Sequence, residues 1–147
     1  MSVKQISVFV ESKPGHLSRV LDAFESAGVN VRGLSAADTQ DFGIVRFVVD
    51  DPQRALSVLE ELGMACREGE VLCVRLEDKP GELARVMDVM AARGINVTYC
   101  YSLISTYIAI SVDDQDRAEE LLAEEPIELV DQDDLAEALA PVAAEEE

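Results

Sequence analysis

The sequence contains few of the residues that most often carry out chemistry. Of its 147 residues one is a histidine, His16, and three are cysteines, Cys66, Cys73 and Cys100. An odd number of cysteines without Cys-x-x-Cys spacing indicates neither a disulfide framework nor a Cys/His metal site, so we expect free thiols that are buried or half-buried. A single histidine, with no motif that places a serine, cysteine or aspartate beside it, supplies no nucleophile and base. We therefore expect no enzyme activity and no cofactor.

Basic residues are also few. Twelve lysines and arginines stand against thirty carboxylates, and the formal net charge is −18 at pH 7. Such a charge repels the backbone of nucleic acids and anionic membrane surfaces, and we expect neither as a partner. Residues 113–147 hold fifteen of the carboxylates and one arginine, which leaves only −4 for residues 1–112. The acidic C-terminal part is interpreted as a solvated face and tail.

Long apolar runs are missing as well. No stretch approaches the roughly 18 apolar residues that a membrane span needs, and the N-terminus enters an alternating strand pattern without the features of a secretory signal. The expected location is cytoplasmic. With 48% apolar residues the chain is nevertheless able to bury a sizeable core.

What the sequence does contain is an internal repeat. Residues 11–31 return, shifted by 66 positions, as residues 77–97. Both copies contain Glu-x-Lys-Pro-Gly-x-Leu, then an amphipathic stretch, then Gly-Val/Ile-Asn-Val. This spacing predicts a helix that begins after the Pro-Gly pair and ends at Gly28 in one copy and at Gly94 in the other. The chain therefore consists of two copies of one small domain.

Periodicity predicts the same order of elements in each copy, β-α-β-β-α-β, which is the split ferredoxin-like arrangement of an α+β protein. The expected domains are 1–69 and 70–131, followed by an acidic C-terminal tail at 132–147 whose first part, 132–140, forms a short helix. Strands are predicted at 5–10, 29–37, 42–49, 64–67, 71–76, 95–104, 107–112 and 127–130, with turns at residues 38–41 and 105–106.

The two copies are expected to pair. A unit of about 65 residues buries only about 60% of its unfolded surface and is marginal alone, and its second strand lies at a sheet edge with unpaired backbone groups. We predict that strand 29–37 lies beside strand 95–104. The copies would then form one paired antiparallel sheet with the helices on one face.

These features together resemble the ACT domain, an amino-acid-sensing module of metabolic regulation. The resemblance rests on the order of elements, on Lys-Pro-Gly-x-Leu after the first strand and on Gly-Val/Ile-Asn after the first helix, all present twice, and it covers residues 1 to about 131. Residues 34–43, Leu-Ser-Ala-Ala-Asp-Thr-Gln-Asp-Phe-Gly, further resemble a group of small tandem ACT proteins without an attached catalytic domain. The resemblance implies two ferredoxin-like repeats that bind a free amino acid.

A physical basis for such binding is visible in the two turns. Pro14 and Pro80 fix φ where a helix begins, and Gly15 and Gly81 carry no side chain to block an approaching group. The N–H groups that follow, with the positive end of the helix dipole, form a receptor for a carboxylate.

The resemblance places the ligand between domains, so Asn96 is expected to face the turn Ser12–Leu17, and Asn30 the turn Asp78–Leu83. The asparagine oxygen would accept a hydrogen bond from the ligand's ammonium group. Asp78 adds a charge at one site where Ser12 adds a hydroxyl at the other, so the sites are expected to differ in affinity. The candidate ligand-binding residues are Ser12, Lys13, Pro14, Gly15, His16, Leu17, Asn30, Asp78, Lys79, Pro80, Gly81, Glu82, Leu83 and Asn96.

Each of these motifs also has a purely structural interpretation. Pro-Gly before a helix is more often a turn than a ligand site, and Gly-x-Asn after a helix is more often a cap. His16 is expected to be an exposed helix-start side chain, and Lys13 and Lys79 to be solvated. Tyr99 and Tyr101 fall on one face of a strand and are interpreted as packing residues.

The sequence therefore favours a non-catalytic regulatory protein that binds a free amino acid at the interface between ACT-like domains, with a metabolic enzyme as the responding partner. The alternative is an adaptor or small regulatory subunit that binds a partner enzyme without a metabolite ligand. The identity of the amino acid, the occupancy of one or both sites and the formation of a homodimer are left open.

Overall fold

The computed structural model describes residues 2–38 and 42–138. Its strands are β1 (Val3–Glu11), β2 (Val31–Asp38), β3 (Phe42–Val49), β4 (Cys66–Arg75), β5 (Val97–Ser102), β6 (Tyr107–Val112) and β7 (Glu128–Leu129). Its helices are α1 (His16–Ser26), α2 (Pro52–Glu61), α3 (Glu82–Ala92), α4 (Gln115–Leu122) and α5 (Gln132–Ala138). The predicted α+β class with two βαββαβ repeats is confirmed. Residues 39–41 of the first predicted turn, and the tail from residue 139, lie outside the described part.

The helices begin where the sequence supplies a suitable N-cap. Gly15 and Gly81 precede α1 and α3 with φ of 88°, a left-handed conformation that side chains disfavour. Asp51 and Asp114 precede α2 and α4, and each carboxylate accepts a hydrogen bond from the N–H three residues later. Within the described ranges, no helix is long and apolar enough to cross a membrane.

The described strands form one sheet in the order β2-β3-β1-β4-β6-β5, with β7 beside β4. Strand β4 joins the repeats. Its first half, residues 66–71, pairs with β1 of the first repeat. Its second half pairs with the second repeat, residues 72–75 with β6 and residues 74–75 also with β7. Each repeat therefore has a four-stranded antiparallel sheet, and the two sheets share one strand. Helices α1 to α4 cover one face, as predicted.

Two predictions about the strands are corrected. The strands predicted at 64–67 and 71–76 are the single strand β4, and the copies join through β1 and β4 rather than through strands 29–37 and 95–104. Residues 68–70 hold one glycine but no proline or asparagine, so the chain continues in extended conformation there. Pairing with β1 then satisfies the backbone groups of this segment. The proposed domain boundary between residues 69 and 70 falls inside β4.

The sheet curls until its two outer strands approach each other. The N–H of Ile104 donates to the carbonyl of Arg32 at 2.8 Å, and a Cβ on Gly33 would lie 3.0 Å from Leu103 Cα. Strands β2 and β5 form no ladder in the described ranges. The predicted neighbours therefore do meet, but only where β2 begins and β5 ends.

Curling gives the sheet an outer face, covered by α1 to α4, and an inner face. Each repeat has its own apolar cluster on the outer face, centred on Phe24 and Phe47 in the first and on Val86 and Met90 in the second. The inner face holds a third cluster: Val3, Val48, Val71, Cys73, Leu103, Tyr107, Ala109, Val130 and Leu135.

Helix α5 belongs to this inner cluster, although the sequence places it in the acidic tail. Leu135 is 1% exposed. The side-chain amide of Gln132 accepts from the N–H of Lys4 at 2.9 Å and donates to the carbonyl of Val49 at 3.3 Å. It thus bridges β1 and β3 beyond the last pair of their ladder, Ile6 with Phe47. The beginning of the acidic segment therefore holds these strands together.

Candidate functional site

The first predicted turn, Ser12–Leu17, connects β1 to the amino end of α1. In the first turn of α1 the amides of His16 and Arg19 donate to main-chain carbonyls at 3.3 and 3.0 Å. Within the described ranges, the amides of Leu17 and Ser18 have no hydrogen-bond acceptor. These two amides are the donors that the sequence predicts for a carboxylate.

A cleft of about 330 Å³ lies against this turn. Five of the candidate residues line it: Ser12, Lys13, Pro14, His16 and Leu17. Its other walls come from β1, β2 and β3 and include Val10, Ala36, Ala37 and Val45. Gly15 does not line the cleft, but a Cβ added to it would meet no atom within 4 Å. The first turn therefore borders an open space with a mainly apolar wall.

His16 differs from the expectation of an exposed side chain. It is half-buried and lines the cleft together with the half-buried Leu17. The imidazole is therefore positioned to contact a molecule in the cleft, which was the less favoured interpretation of the sequence.

The second predicted turn, Asp78–Leu83, has the same backbone. The amides of Glu82 and Arg85 donate to main-chain carbonyls at 3.4 and 2.9 Å, as their counterparts do in the first repeat. Asp78 and Glu82 line a larger cleft of about 720 Å³, whereas Lys79, Pro80, Gly81 and Leu83 do not line it. Leu83 is 42% exposed.

Glu82 is occupied by structural contacts. One carboxylate oxygen accepts from the N–H of Glu77 at 3.2 Å, and the other accepts from Arg85 Nε at 3.1 Å. The Arg85 hydrogen bonds, followed by the Glu77 N–H, hold the pKa of Glu82 below its ordinary value. Arg85 also donates to the carbonyl of Pro126 at 2.6 Å, which ties α3 to the segment before β7. Arg85 was not among the candidate residues predicted from the sequence, although its i, i+3 spacing from Glu82 is a recognisable signal.

The two lysines are each paired with a nearby glutamate, although Lys13 also lines the first cleft. Lys13 lies 3.3 Å from the carboxylate of Glu11, and Lys79 lies 3.0 Å from that of Glu77. Hydrogen bonding and proximity to Glu77 raise the pKa of Lys79. Both lysines are exposed, so these pairs add little to stability.

Asn30 and Asn96 lie at the entrances to β2 and β5, and neither lines the two clefts. The main-chain N–H of Asn30 donates to Asp50 Oδ1 at 2.8 Å, and Asn96 Nδ2 donates to Asp113 Oδ2 at 2.8 Å. These contacts tie the beginning of β2 to the residue before Asp51 and the beginning of β5 to the residue before Asp114, and neither caps the preceding helix.

Tyr99, Cys100 and Tyr101 lie on β5, and Cys66 and Cys73 lie on β4. The rings of Tyr99 and Tyr101 are stacked with centroids 6.4 Å apart. Cys73 is buried, Cys66 is half-buried and Cys100 is exposed, so the expectation of burial is wrong for Cys100. Among the described residues, no group of three or more histidines, cysteines or carboxylates is arranged to hold a metal ion.

Comparison with known proteins adds to this geometry. Residues 1–139 match the family model described as an ACT domain pair. A crystal structure of a protein from Bacteroides thetaiotaomicron is similar with a TM-score of 0.86 and 31% identity, over 92% of this chain and 96% of that one. No curated protein sequence matches this chain significantly.

Two further structures share the fold at lower identity. The regulatory subunit of aspartate kinase from Thermus thermophilus, in its ligand-free form, has a TM-score of 0.62 and 22% identity, over 82% of this chain and 88% of that one. The corresponding subunit from Thermus flavus has a TM-score of 0.57 and 20% identity, over 80% of this chain and 86% of that one.

Proposed function

This chain belongs to the ACT domain family as a pair of ACT domains, and from that membership we propose that it is a non-catalytic regulatory protein that binds a free amino acid at an interface between ACT-like domains. The observation that carries the proposal is the first cleft. Its volume of about 330 Å³ is within the range of small-ligand pockets, and it adjoins the amino end of α1. The amides of Leu17 and Ser18 and the helix dipole suit a carboxylate.

The walls of the first cleft suggest the kind of amino acid. Val10, Ala36, Ala37 and Val45 offer an apolar surface. The polar lining residues are Glu11, Ser12, Lys13 and His16, and the charges of Glu11 and Lys13 are paired at 3.3 Å. An amino acid with an apolar side chain of modest size would bury that side chain against this wall while its carboxylate reaches α1.

The second cleft is a poorer host for an amino-acid carboxylate. Its lining includes the carboxyl groups of Glu77, Asp78, Glu82, Glu125 and Glu128. Its two arginines are already paired, Arg75 with Glu128 at 3.4 Å and Arg85 with Glu82 at 3.1 Å. Glu77 and Glu125 are paired with Lys79 and Arg93, so Asp78 is the lining carboxylate without an ion pair within the described residues, and its charge repels a carboxylate. We therefore assign the amino acid to the first cleft, with the second weak or vacant.

The proposed ammonium contact comes from an asparagine of the other domain. For Asn30 this contact is supported by the approach of β2 to β5. Two residues after Asn30, the carbonyl of Arg32 accepts a hydrogen bond from the N–H of Ile104. In the same turn the carbonyl of Thr106 accepts from the N–H of Leu76 at 2.9 Å, and Leu76 lies two residues before the second turn, Asp78–Leu83. The matching contact of Asn96 with the first turn, within the chain or across a homodimer, is proposed by analogy between the repeats.

The regulatory mechanism follows from a ligand that contacts two domains. One is the first repeat, which supplies every lining residue of the first cleft, and the other is the domain that carries Asn96, in this chain or in a second copy. Such a ligand stabilises one relative arrangement of the domains, and a partner that prefers this arrangement responds to the ligand concentration. A metabolic enzyme is the proposed partner, and this part rests on family membership alone.

The proposal is tested by thermal unfolding of the chain with each of the common amino acids. A ligand present at about 100 times its dissociation constant, and specific for the folded state, raises the free energy of unfolding by about 2.7 kcal/mol. Ala37→Leu fills part of the first cleft and is expected to abolish the response. Ala91→Leu, at an exposed position of α3, is the matched control and should keep it.

Asn96→Ala tests the asparagine contact separately. It is expected to reduce the stabilisation that an amino acid gives by binding in the first cleft, whereas Asn30→Ala should leave that stabilisation unchanged. If no amino acid stabilises the protein, the amino-acid site is rejected and the adaptor without a metabolite ligand becomes the favoured function.

A further inference from the structure

A third cleft, of about 320 Å³, opens on the inner face of the sheet, where the first repeat meets the second. It shares no lining residue with the cleft at the first turn or with the cleft at the second turn. An amino acid bound at a turn would therefore leave it empty. Its floor is formed by β1, β3 and the first half of β4, and Tyr99 of β5 forms one wall.

A row of three polar residues crosses this floor. Ser7 on β1 is paired with Arg46 on β3 and, on its other side, with Arg67 on β4. Directly paired residues of antiparallel strands project from the same face, and strands lie about 4.8 Å apart. The two arginine stems therefore rise from positions about 10 Å apart, with the serine hydroxyl between them. Two guanidinium groups at this spacing are able to converge on one small anion.

Neither arginine is neutralised by an acidic partner. In the described part of the chain, no ion pair includes Arg46 or Arg67, whereas Lys4, Arg75 and Arg93 are each paired with a glutamate. Glu68 and Glu70 flank Gly69 on β4. Strand alternation directs Glu68 to the outer face, where Lys4 contacts it, whereas Glu70 lines the cleft and its carboxylate accepts a hydrogen bond from the Ser2 hydroxyl. Neither glutamate forms an ion pair with Arg46 or Arg67 in the described part of the chain.

The wall of the cleft holds one arginine in place and supplies another donor. The Arg46 guanidinium lies 4.0 Å from the centroid of the Tyr99 ring, a cation–π contact. The Tyr99 hydroxyl accepts from Gln5 Nε2 at 2.7 Å, and within the described ranges no acceptor is bonded to its own proton. That proton is available to a ligand in the cleft.

The shape of the cleft separates a polar part from an apolar part. Gly69, directly opposite Gln5, leaves space, since a Cβ there would meet no atom within 4 Å. Beyond the arginine row, Phe9 pairs with Ile44, and Phe9 is 43% exposed. An exposed aromatic ring beside two unpaired cations favours a ligand that has both an acid group and an apolar group.

We propose that this inner-face cleft binds a small organic acid, with its carboxylate between Arg46 and Arg67 and its apolar part against Phe9 and Ile44. The hydroxyls of Ser7 and Tyr99 donate to the same carboxylate. The net charge of −18 opposes anions at long range, but charges farther than about 8 Å are largely screened at physiological ionic strength. The local pair of arginines therefore decides whether the anion binds.

The test uses the whole chain labelled with ¹⁵N and follows the arginine Nε–H resonances during titration. The probes are hexanoate, inorganic phosphate as an anion without an apolar group, and hexanamide as the neutral counterpart of hexanoate. Arg46→Gln and Arg67→Gln assign the two resonances by their loss. We expect hexanoate to shift both, phosphate to bind at least about tenfold more weakly, and hexanamide to cause no shift.

Calorimetry of variants then tests the side chains themselves. Arg67→Gln, at an exposed position, is expected to weaken hexanoate binding about tenfold or more, because a charge-assisted hydrogen bond is lost. Arg117→Gln, exposed on α4, makes the same change of charge away from the cleft and should leave the affinity unchanged. The response to free amino acids should be the same in both variants, so failure of this site is distinguishable from failure of the proposed function.

Three results would overturn the site. The first is the absence of any arginine shift with hexanoate at saturating concentration. The second is an equal loss of affinity in Arg67→Gln and Arg117→Gln, which would indicate a general charge effect. The third is equal binding of phosphate and hexanoate, which would remove the role assigned to Phe9 and Ile44.

Discussion

Tyr101 on β5 donates a hydrogen bond of 2.6 Å to the side-chain oxygen of Gln5 on β1, although β4 and β6 separate these strands in the sheet. Gln5 is 5% exposed, and its amide also donates to Tyr99. A buried polar network therefore connects the two repeats across the inner face. Burial, followed by the neighbouring Tyr99, raises the pKa of Tyr101, so its hydroxyl remains a donor at neutral pH.

Tyr101→Phe is expected to lower the free energy of unfolding by about 1–2 kcal/mol, because the Gln5 oxygen loses its buried donor. Urea denaturation at neutral pH measures the loss. Tyr107→Phe is the matched control, since Tyr107 is 7% exposed and its hydroxyl makes no hydrogen bond within the described part of the chain. It should change stability by less than about 0.5 kcal/mol. Equal losses in the two variants would contradict a role for the network.

Gly33→Ala tests the closure of the sheet. The new Cβ would lie 3.0 Å from Leu103 Cα and 3.1 Å from the Ser102 carbonyl oxygen, so β2 and β5 would have to move apart. We expect a loss of about 1–3 kcal/mol in the free energy of unfolding. Gly69→Ala adds the same methyl group where no atom lies within 4 Å, and it should have little effect. A neutral Gly33→Ala would mean that the outer strands are not in firm contact.

The elements of this fold were predictable because helix and strand periodicity is local. The strands predicted at 42–49 and 107–112, and the helices predicted to begin after the two Pro-Gly pairs, coincide with the structure. The connection between the repeats was not predictable in the same way. It depends on which backbone edges pair, as in the ladder from Val3 and Val71 onward, and no single segment records that choice.

The candidate site was also predictable from the sequence only in part. The Pro-Gly turns, including Pro14 and Gly15, were visible because they use distinctive backbone chemistry. The opposite wall of the first cleft, Ala36 and Ala37, was not visible, because alanines on a strand carry no signal until the fold brings them to the turn. The partner of Arg85 was within reach of the sequence, since Glu82 precedes it by three positions in the same helix.

Gly15→Ala and Gly81→Ala test the backbone of the two turns. At φ of 88° a Cβ is strained, and each variant is expected to lose about 1–2 kcal/mol, although neither Cβ would meet an atom within 4 Å. Gly15→Asn should lose less, because asparagine tolerates the left-handed region better. Thermal unfolding distinguishes these cases. Equal stability of all three variants and the parent would show that the left-handed turn is not required.

Cys73 gives the protein a predictable response to alkaline pH. The thiol is fully buried on the inner face, and burial raises its pKa from an ordinary value of 9.0 to about 12. Above pH 9 the unfolded chain releases this proton while the folded chain keeps it. The stability associated with this thiol is therefore fully present below pH 9 and is lost as the pH rises toward 12.

Urea denaturation under reducing conditions at pH 8 and pH 10 measures this loss. One thiol with these two pKa values lowers the free energy of unfolding by about 1.4 kcal/mol between the two pH values. In Cys73→Ala the free energy of unfolding should fall by about 1.4 kcal/mol less between pH 8 and pH 10 than in the parent, whatever the stability of the variant at pH 8. Cys100→Ala, which removes an exposed thiol, should show the same decrease as the parent.

The half-buried Cys66, whose pKa burial also raises, is unchanged in all three proteins and therefore cancels in the comparison. Identical decreases in the parent, Cys73→Ala and Cys100→Ala would mean that the inner face admits water to Cys73, and the closure by β2 and β5 would then be in doubt.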